Sequence, residues 1–281
     1  MRKIFVPLFV AIASVAFSQE RIVVLGSTVA EITTRLGATG QVVGADASVT
    51  APELAAVPKV GYYRQIPAEG ILSLRPTLIL ASSDLGPAST VEQLKAAGTR
   101  LELVKIGHSP DETLAAITRV GDVLGRGEKA AELAAEVRED LAEVKEKVAA
   151  SASKPRVVFV YARSGGVLNV GGRGTAADAM ISLAGGENAV TGFDGFRPLT
   201  PESLVAANPD VILFTTSGLE GLGGPEGAAK LPAIAPTNAA KSGRIVAMND
   251  QLLLGFGPRL GDGVLELHGL LHPTPAEKPA Q

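Results

Sequence analysis

Short apolar runs and helical patterns alternate along most of the chain. Near its beginning, the β-branched run RIVVLG ends at a glycine and is followed by STVAEITTRLGA. Within that second segment, Thr28 and Glu31 have the T-x-x-E spacing of a capping box, in which the two side chains satisfy free backbone N–H groups at the start of a helix. The pattern therefore predicts a strand, a tight turn and a helix, in that order.

The same kind of pattern returns in the second half of the chain. EGILSLRPTLIL begins at Glu69 and ESLVAANPDVIL begins at Glu202, and alignment on these glutamates places Pro76 on Pro209. Each segment predicts a short helix, a proline break and a buried strand. RVVFVYARSGG, which begins at Arg156, likewise repeats the strand of the first segment. Two repeated patterns that occur in the same order in each half of the chain predict two lobes of similar structure.

Between the two halves lies GEKAAELAAEVREDLAEVKEKVAASASK, whose apolar residues recur at helical spacing. We predict one amphipathic helix, which would span ~36 Å from Gly127 to Ala150 at 1.5 Å per residue. A helix of this length is a rigid connection, unlike a Gly/Ser-rich hinge, so we expect the lobes to close only slightly.

The predicted fold class is α/β: two doubly wound, mostly parallel-sheet lobes joined by one long rigid helix, with a ligand cleft between the lobes. The predicted segments are a signal peptide at 1–18, an N-terminal α/β lobe at 19–126, a connecting helix at 127–152, a C-terminal α/β lobe at 153–272 and a flexible tail at 273–281.

The N-terminus has the features of a secretion signal. Arg2 and Lys3 precede an apolar run from Ile4 to Phe17, and the small residues Ala16 and Ser18 have the spacing of a signal-peptidase site. The run is shorter than the roughly 20 apolar residues that a membrane span needs. We therefore predict cleavage after Ser18 and a periplasmic protein whose mature chain does not insert into a membrane.

Composition excludes several classes of function. Of the 281 residues, 46% are hydrophobic and 20% are charged, which is ordinary for a globular protein. A formal charge of -3 without a Lys/Arg block gives no attraction to nucleic acid or to an anionic membrane. Cysteine is absent, which excludes disulfides, thiolate metal sites, a catalytic thiol and a lipid-anchoring cysteine.

Motifs of known enzymes are scarce. The chain contains no G-x-G-x-x-G after the first strand, no G-x-x-x-x-G-K-[ST], no H-E-x-x-H and no G-x-S-x-G. GGRGT, at 171–175, precedes a predicted helix and allows two interpretations. Its backbone N–H groups could bind an anion, or it could be a glycine-rich turn with Thr175 as the helix cap.

The three histidines give little support for a metal site. His268 and His272 are four residues apart and could share one face of a helix, as metal ligands do. They lie at the end of the last predicted helix, however, where histidines commonly complement the helix dipole. His108 precedes Ser109 and Pro110 in a predicted loop and is equally well explained as a solvated surface residue.

The stretch VGYYRQIPAEG contains two of only three tyrosines, with an arginine directly after them. In an extended segment Tyr62 and Arg64 would face one side and Tyr63 the other. A guanidinium beside a phenol lowers the phenol's pKa, and a phenolate is a hard donor suited to ferric iron, including haem iron. The spacing alone leaves open ordinary packing of a tyrosine beside a surface arginine.

Four segments together resemble the periplasmic haem-binding proteins of bacterial haem ABC importers: RIVVLGSTVAEITTRLGA, VGYYRQIPAEGILSLRPTLILAS, NVGGRGTAADAMISLAGGENAVTGFDGFRPLTPESL and LLLGFGPR. These proteins belong to a larger group of two-lobed, helix-linked binding proteins that also carries cobalamin and ferric siderophores. The resemblance covers essentially the whole mature chain, and G-Y-x-R is its most haem-specific part.

The resemblance implies that Tyr62 is the axial ligand of the haem iron and that Arg64 hydrogen-bonds its oxygen. Tyr63 fills the variable middle position, and a ligand swap to it stays open. Some relatives also place a C-terminal-lobe histidine near haem, but no histidine lies between Arg156 and Leu267, so we expect no such second ligand.

Haem propionates are anions that favour arginines or helix N-termini. Our candidates are Arg173, Arg259 and, more weakly, Arg163, although each could equally be a charge at the rim. We expect apolar cover for the haem faces from leucine, valine and phenylalanine side chains. The phenylalanines are Phe193, Phe196 and Phe256.

In this group of binding proteins, one acidic residue on each lobe pairs with arginines of the membrane permease. The resemblance assigns this role to Glu69 and Glu202, and the alternative is that each only opens a helix. The expected protein is a monomer that captures ferric haem without catalysis and delivers it to an inner-membrane ABC permease. The alternatives are the same scaffold carrying cobalamin or a ferric siderophore, a secreted α/β enzyme with Tyr62 as acid or base, and a metal-ion binding protein.

Overall fold

The structure is a computed structural model that describes residues 20–151, 153–162 and 167–273. The predicted signal peptide, Arg163 and residues 274–281 of the predicted tail lie outside the described residues. Within the described ranges, two β-sheets lie on either side of one long helix in the chain, with other helices packed against them. The two-lobed α/β fold predicted from the sequence is therefore confirmed.

The N-terminal sheet is entirely parallel, with the strand order β2-β1-β3-β4. Its strands are β1 (Ile22–Leu25), β2 (Val42–Ala45), β3 (Leu78–Ser82) and β4 (Arg100–Val104). The helices of this lobe are α1 (Ser27–Arg35), α2 (Ala68–Ser73), α3 (Ala88–Ala96) and α4 (Pro110–Val123), with 3₁₀ turns at Thr39–Gln41, Pro52–Leu54 and Tyr63–Gln65. Every residue of β1 and β3 is buried, as expected for central strands covered on both faces.

The connecting helix α5 runs from Gly127 to Ala149 and spans about 34 Å at 1.5 Å per residue. Its first half, including Leu133 and Val137, belongs to the hydrophobic core of the N-terminal lobe. Its second half contributes Val144 to the core of the C-terminal lobe. The amphipathic pattern therefore predicted the helix correctly, whereas the exact lobe boundaries stay a prediction.

The C-terminal sheet is mixed. Its strands are β5 (Arg156–Ala162), β6 (Leu168–Gly171), β7 (Glu187–Asn188), β8 (Phe196–Pro198), β9 (Val211–Thr215) and β10 (Ile245–Met248). The order is β10-β9-β5-β6-β8; β7, β9 and β10 run parallel to their partners, and β6 and β8 are antiparallel. The helices are α6 (Ala176–Leu183), α7 (Pro201–Ala207), α8 (Thr216–Glu220), α9 (Gly224–Ala229), α10 (Asn238–Lys241), α11 (Asp250–Leu254) and α12 (Leu260–Leu271).

The repeated helix–proline–strand unit is present in both lobes, as α2–β3 and as α7–β9. Just before the proline, Arg75 and Asn208 occupy equivalent places and both have left-handed backbone, with φ of 48° and 41°. The end of each helix is also held in the same way, because Arg21 donates to the carbonyl of Leu74 and Arg156 donates to a carbonyl at the end of α7. The repeated sequence pattern thus corresponds to a repeated structural unit.

The predicted capping box at α1 is wrong. The helix begins after Gly26 with no side-chain cap, and the two predicted capping side chains cross to the C-terminal lobe instead. Thr28 Oγ1 donates to the Gly255 carbonyl at 2.6 Å. Glu31 accepts from Arg259 Nε at 2.7 Å and from Gln251 Nε2 at 2.6 Å. The reason is that these side chains lie where α1 meets the other lobe, so tertiary partners replace the local ones.

Candidate ligand-binding cleft

A cleft of about 1040 Å³ lies between the lobes and is lined by both of them. Gly26 and Ser82 line it from the carboxyl ends of β1 and β3, and Ser217 and Asn249 line it just beyond β9 and β10. Ligands of open α/β sheets bind outside the carboxyl ends of the strands. Both sheets therefore direct their usual ligand-binding edge toward the same cavity, whose volume suits a large ligand.

Hydrogen bonds near this cavity join the lobes directly. Besides the bonds of Thr28 and Glu31, Thr113 Oγ1 donates to the carbonyl of Phe256 at 3.1 Å in a buried setting. The carboxylate of Glu31 is only 12% exposed, and this partner raises the pKa of Arg259. Arg259, one of the predicted propionate contacts, is thus engaged by the opposite lobe and is not among the cleft-lining residues.

The tyrosine segment changes backbone conformation between its two tyrosines. Tyr62 is extended, with φ -96° and ψ 122°, and a 3₁₀ turn then begins at Tyr63. Both tyrosines line the cleft, but Tyr62 is 41% exposed, whereas Tyr63 is half-buried and packs against the N-terminal core. The rings meet edge to face with centroids 5.2 Å apart. The predicted alternation of sides along an extended segment is wrong here because the chain turns.

Arg64 also lines the cleft, but its guanidinium contacts Tyr63 and Asp84. Its Nε donates to Tyr63 Oη at 3.0 Å, and its Nη2 donates to Asp84 Oδ2 at 2.5 Å. Burial raises the pKa of Tyr63, and the bond from Arg64 opposes that rise without overcoming it. The expected lowering of a phenol pKa by the neighbouring guanidinium is therefore not found for the phenol that Arg64 touches.

Asp84 is a cleft residue that the sequence reasoning missed. It follows β3 by two residues, in ASSD, where the carboxyl end of a buried strand meets the cleft. A polar residue at the carboxyl end of a buried strand indicates a ligand-binding site, and this signal could have identified Asp84.

The GGRGT segment is a capped turn. The amides of Gly172, Arg173 and Gly174 donate to the carbonyls of Gly195 and Phe193 and to an Asp178 carboxylate oxygen, respectively. Thr175 Oγ1 accepts from the amide of Asp178 at 3.1 Å, which caps α6. These three amides therefore have partners within the protein, which favours the turn over the anion site.

Arg173 lies at the rim of the cleft. Its Nε donates to Asp194 Oδ1 at 2.9 Å, and both side chains are mostly exposed. Their neighbours Gly174 and Gly195 line the cavity. Arg173 is therefore near the cleft, with a carboxylate of its own lobe as its present partner.

Of the three phenylalanines considered as cover, Phe196 is the one that lines the cleft, where it is 49% exposed. Its ring lies 5.8 Å from that of Tyr161, which also lines the cleft and was not singled out from the sequence. Phe193 packs under Arg197 instead, with the guanidinium carbon 4.6 Å from its ring centre. Phe256 is fully buried between the lobes.

His108 lies in the cleft, contrary to its treatment as an ordinary surface residue. Its Nδ1 is 3.3 Å from the Gly174 carbonyl of the opposite lobe, and its ring centroid is 5.6 Å from that of Phe256. These partners are distant in sequence, so no local pattern could have indicated them.

His268 and His272 lie at the end of α12, with ring centroids 4.6 Å apart. The ring of His268 contacts the Ala184 carbonyl and Ser151 Oγ, and burial lowers the pKa of His272. Throughout the described ranges, no group of three or more His, Cys, Asp or Glu side chains could hold a metal ion. The pair thus packs the end of the helix.

Glu69 and Glu202 lie in the first turns of α2 and α7, and both are exposed. They occupy equivalent places in the repeated unit, one on each lobe. Their surroundings fit both interpretations made from the sequence, a contact for a partner protein and an acid favoured by the helix dipole.

Two α/β lobes, a shared connecting helix and a cleft at the strand ends define the architecture of a substrate-binding protein. Residues 22–252 match the family described as periplasmic binding protein, and the chain belongs to that family. An ABC transporter substrate-binding lipoprotein of Bacillus subtilis (strain 168), YvrC, is 31% identical over 90% of this chain and 80% of its own length. Membership confirms the predicted role in transport rather than catalysis.

Two further comparisons concern proteins with named ligands. The periplasmic heme-binding protein RhuT of Roseiflexus sp. RS-1, in apo form, is 40% identical, with a TM-score of 0.87 over 90% of this chain and 98% of its own. A cobalamin-binding protein of Halobacterium salinarum (strain ATCC 29341 / DSM 671 / R1) is 27% identical over 91% of this chain and 70% of its own length. No helix among the described residues is both long enough and apolar enough to span a membrane.

Proposed function

We propose that this protein captures ferric haem in the interlobe cleft and delivers it to the inner-membrane permease of an ABC importer. The observation that carries the proposal is the exposed phenol of Tyr62 in the cleft, within the G-Y-x-R sequence. The similarity to the heme-binding protein RhuT, at 40% identity over nearly its full length, supports it.

Tyr62 is the proposed axial ligand of the iron. A phenolate oxygen is a hard donor that matches ferric iron, and tyrosine is an established haem ligand. Arg64, which lines the same cleft, is the proposed support for the phenolate; its guanidinium is bonded to Tyr63 and Asp84 here. Tyr63 also lines the cleft but packs against the N-terminal core. On the opposite wall, Phe196 and Tyr161 would cover a face of the macrocycle.

Of the predicted propionate contacts, Arg173 fits best because it lies at the rim with an exposed partner that an anion could displace. Arg259 is better explained by its interlobe pair with Glu31. We further propose that the exposed Glu69 and Glu202 dock the two lobes on the permease, and that the exported protein works as a periplasmic monomer after cleavage at Ser18.

Cobalamin is the second candidate ligand, because a relative that is 27% identical is a cobalamin-binding protein. The phenol in the cleft favours haem over cobalamin. It also favours haem over a ferric siderophore, whose own oxygen atoms already surround the iron.

An absorption titration of the mature protein with ferric haem tests the proposal, with Tyr62→Phe and Tyr63→Phe measured beside the wild type. We expect saturable one-to-one binding with a tyrosinate-type spectrum that is lost in Tyr62→Phe and kept in Tyr63→Phe. Loss in Tyr63→Phe alone would move the ligand to that residue. A wild type that binds cobalamin or a ferric siderophore but no haem would contradict the proposal.

A further inference from the structure

The guanidinium of Arg64 is held by two partners from its own lobe. Its Nε–H bonds Tyr63 Oη at 3.0 Å, and its Nη2 bonds Asp84 Oδ2 at 2.5 Å. The guanidinium carbon also lies 5.3 Å from the centre of the Tyr63 ring. This arrangement differs from the one expected from the sequence, in which the guanidinium hydrogen-bonds the oxygen of Tyr62.

Asp84 is fixed beside the tyrosine segment by the backbone. Its amide is 3.3 Å from Ser82 Oγ, and two residues later the amide of Gly86 donates to the Tyr63 carbonyl at 3.0 Å. The amide of Ile66 returns a bond to the Gly86 carbonyl, also at 3.0 Å. The loop after β3 and the Tyr62–Ile66 turn therefore form one unit, and the carboxylate of Asp84 is part of it.

The loop after β3 and the tyrosine turn approach each other closely at Gly86. A Cβ atom at that position would lie 2.9 Å from the carbonyl oxygen of Arg64, closer than real Cβ contacts allow. The glycine is therefore needed for the loop to lie against the arginine. This makes the pairing of Arg64 with Asp84 a built feature of the cleft wall.

The carboxylate of Asp84 opposes the stabilisation that the guanidinium of Arg64 would give to an iron-bound phenolate. A positive charge near the Tyr62 oxygen stabilises the phenolate, and a negative charge paired with that positive charge cancels part of the effect. Asp84 also occupies one of the guanidinium's donors and holds the group against Tyr63.

We propose that Asp84 is a positioning residue that competes with the Tyr62 oxygen for Arg64 and so shortens the residence time of bound haem. The proposal rests on the proposed function of the cleft. A binding protein must release its cargo at the permease, and differences in affinity between variants of one site arise mostly in the dissociation rate. Asp84 thus favours release at the expense of affinity.

The test measures haem dissociation from the wild type and from Asp84→Asn, with excess apomyoglobin as the acceptor. Asparagine keeps the shape of the side chain and removes its charge, so we expect dissociation to slow by about fivefold, at the lower end of usual couplings between sites. The tyrosinate-type absorption should persist, and Asp84→Glu, which restores the charge, should return the rate toward that of the wild type.

Arg64→Ala separates competition for the arginine from a direct effect of the carboxylate charge. In that background Asp84→Asn should leave the rate unchanged, because its target is gone. Glu136→Gln is the matched control, since Glu136 also pairs with an exposed arginine, Arg35, at 2.7 Å, and neither residue lines the cleft.

An unchanged or faster rate in Asp84→Asn, or an equal slowing in the Arg64→Ala background, would overturn this proposal alone. A wild type that binds no haem would overturn the proposed function and this proposal together.

Discussion

The two lobes share a unit but differ in what they bring to the cleft. In both lobes a short helix with an exposed glutamate ends at a left-handed residue and leads through a proline into a buried strand. The N-terminal lobe adds the Tyr62–Arg64 turn at the end of a fully parallel sheet. The C-terminal lobe instead adds the antiparallel strands β6 and β8, and its aromatic wall is formed by Phe196 of β8 and Tyr161 of β5.

The scaffold is therefore repeated, while the chemistry is divided between the lobes. The donor atom proposed for iron lies on one side, and apolar cover lies on the other. Because each lobe supplies what the other lacks, the two walls should respond differently to equivalent substitutions.

The largest expected effect separates Tyr62 from Tyr161, the cleft tyrosine of the opposite lobe. Tyr62→Phe should weaken haem binding by about 100-fold or more, because it removes the iron ligand. Tyr161→Phe should change affinity by less than about threefold, since the ring that covers the ligand is kept. Dissociation constants from absorption titrations give both values, and equal losses would show that the chemistry is not divided between the lobes.

The next effect tests where the lobes are equivalent. Reversal of the charge at Glu69, and likewise at Glu202, should slow haem uptake by roughly tenfold. The new positive charge would face the arginines of the permease and repel them. Haem affinity of the purified protein should stay the same. Uptake by importer-dependent cells is the readout, with Glu226→Lys as an exposed control on α9. Normal uptake in both variants would leave the two glutamates as helix-opening acids.

Truncation of the aromatic wall should have a smaller effect. Phe196→Ala removes an exposed ring from the cleft and should weaken haem binding by about fivefold. Phe196→Leu, which keeps apolar surface, should recover most of the loss. A loss as large as that of Tyr62→Phe would move the main binding energy to the C-terminal lobe.

Substitutions at the junction between the lobes should change the thermal stability of the protein rather than its ligand binding. Glu31→Gln removes the charge that pairs with Arg259 in a mostly buried position, so we expect the thermal midpoint to fall by about 3 °C. Glu136→Gln, in an exposed pair with Arg35, should lower it by less than about 1 °C. Equal shifts would mean that burial at the junction adds nothing.

The smallest effect concerns Asp140 on α5, whose pKa is raised by burial and then by Asp262 and other nearby carboxylates. A carboxyl group whose pKa is higher in the folded than in the unfolded protein destabilises the folded state at pH values above the unfolded pKa. At such pH values the group must ionise in surroundings that disfavour its charge. Asp140→Asn should therefore raise the thermal midpoint by about 1 °C at neutral pH. The gain should vanish below about pH 4, and a gain that persists there would contradict the electrostatic cause.

Local patterns predicted the elements of the fold well. The apolar runs became β1, β3, β5 and β9, and the amphipathic stretch became α5. The antiparallel β6 was harder, because it lies within the glycine-rich VLNVGGRG, which is typical of a turn. Strand pairing there depends on β5 and β8, and no short-range signal specifies it.

The site was less predictable, for reasons that are physical. Tyr62 could be found because its motif is local, but the partners of Arg64 depend on how the loop after β3 packs on the tyrosine turn. Thr28 and Glu31 had the local spacing of a cap and the tertiary position of an interlobe contact, and the tertiary contact prevailed. His108 contacts residues of the opposite lobe that lie far away in sequence.

The helix α5 has a consequence for how the molecule unfolds. Leu133 and Val137 complete one hydrophobic core, and Val144 completes the other, so neither lobe has its full core without this helix. If either lobe loses its packing, it withdraws support from a helix on which the other depends. The two lobes should therefore melt in one cooperative transition, and a protease cut within α5 should destabilise both at once.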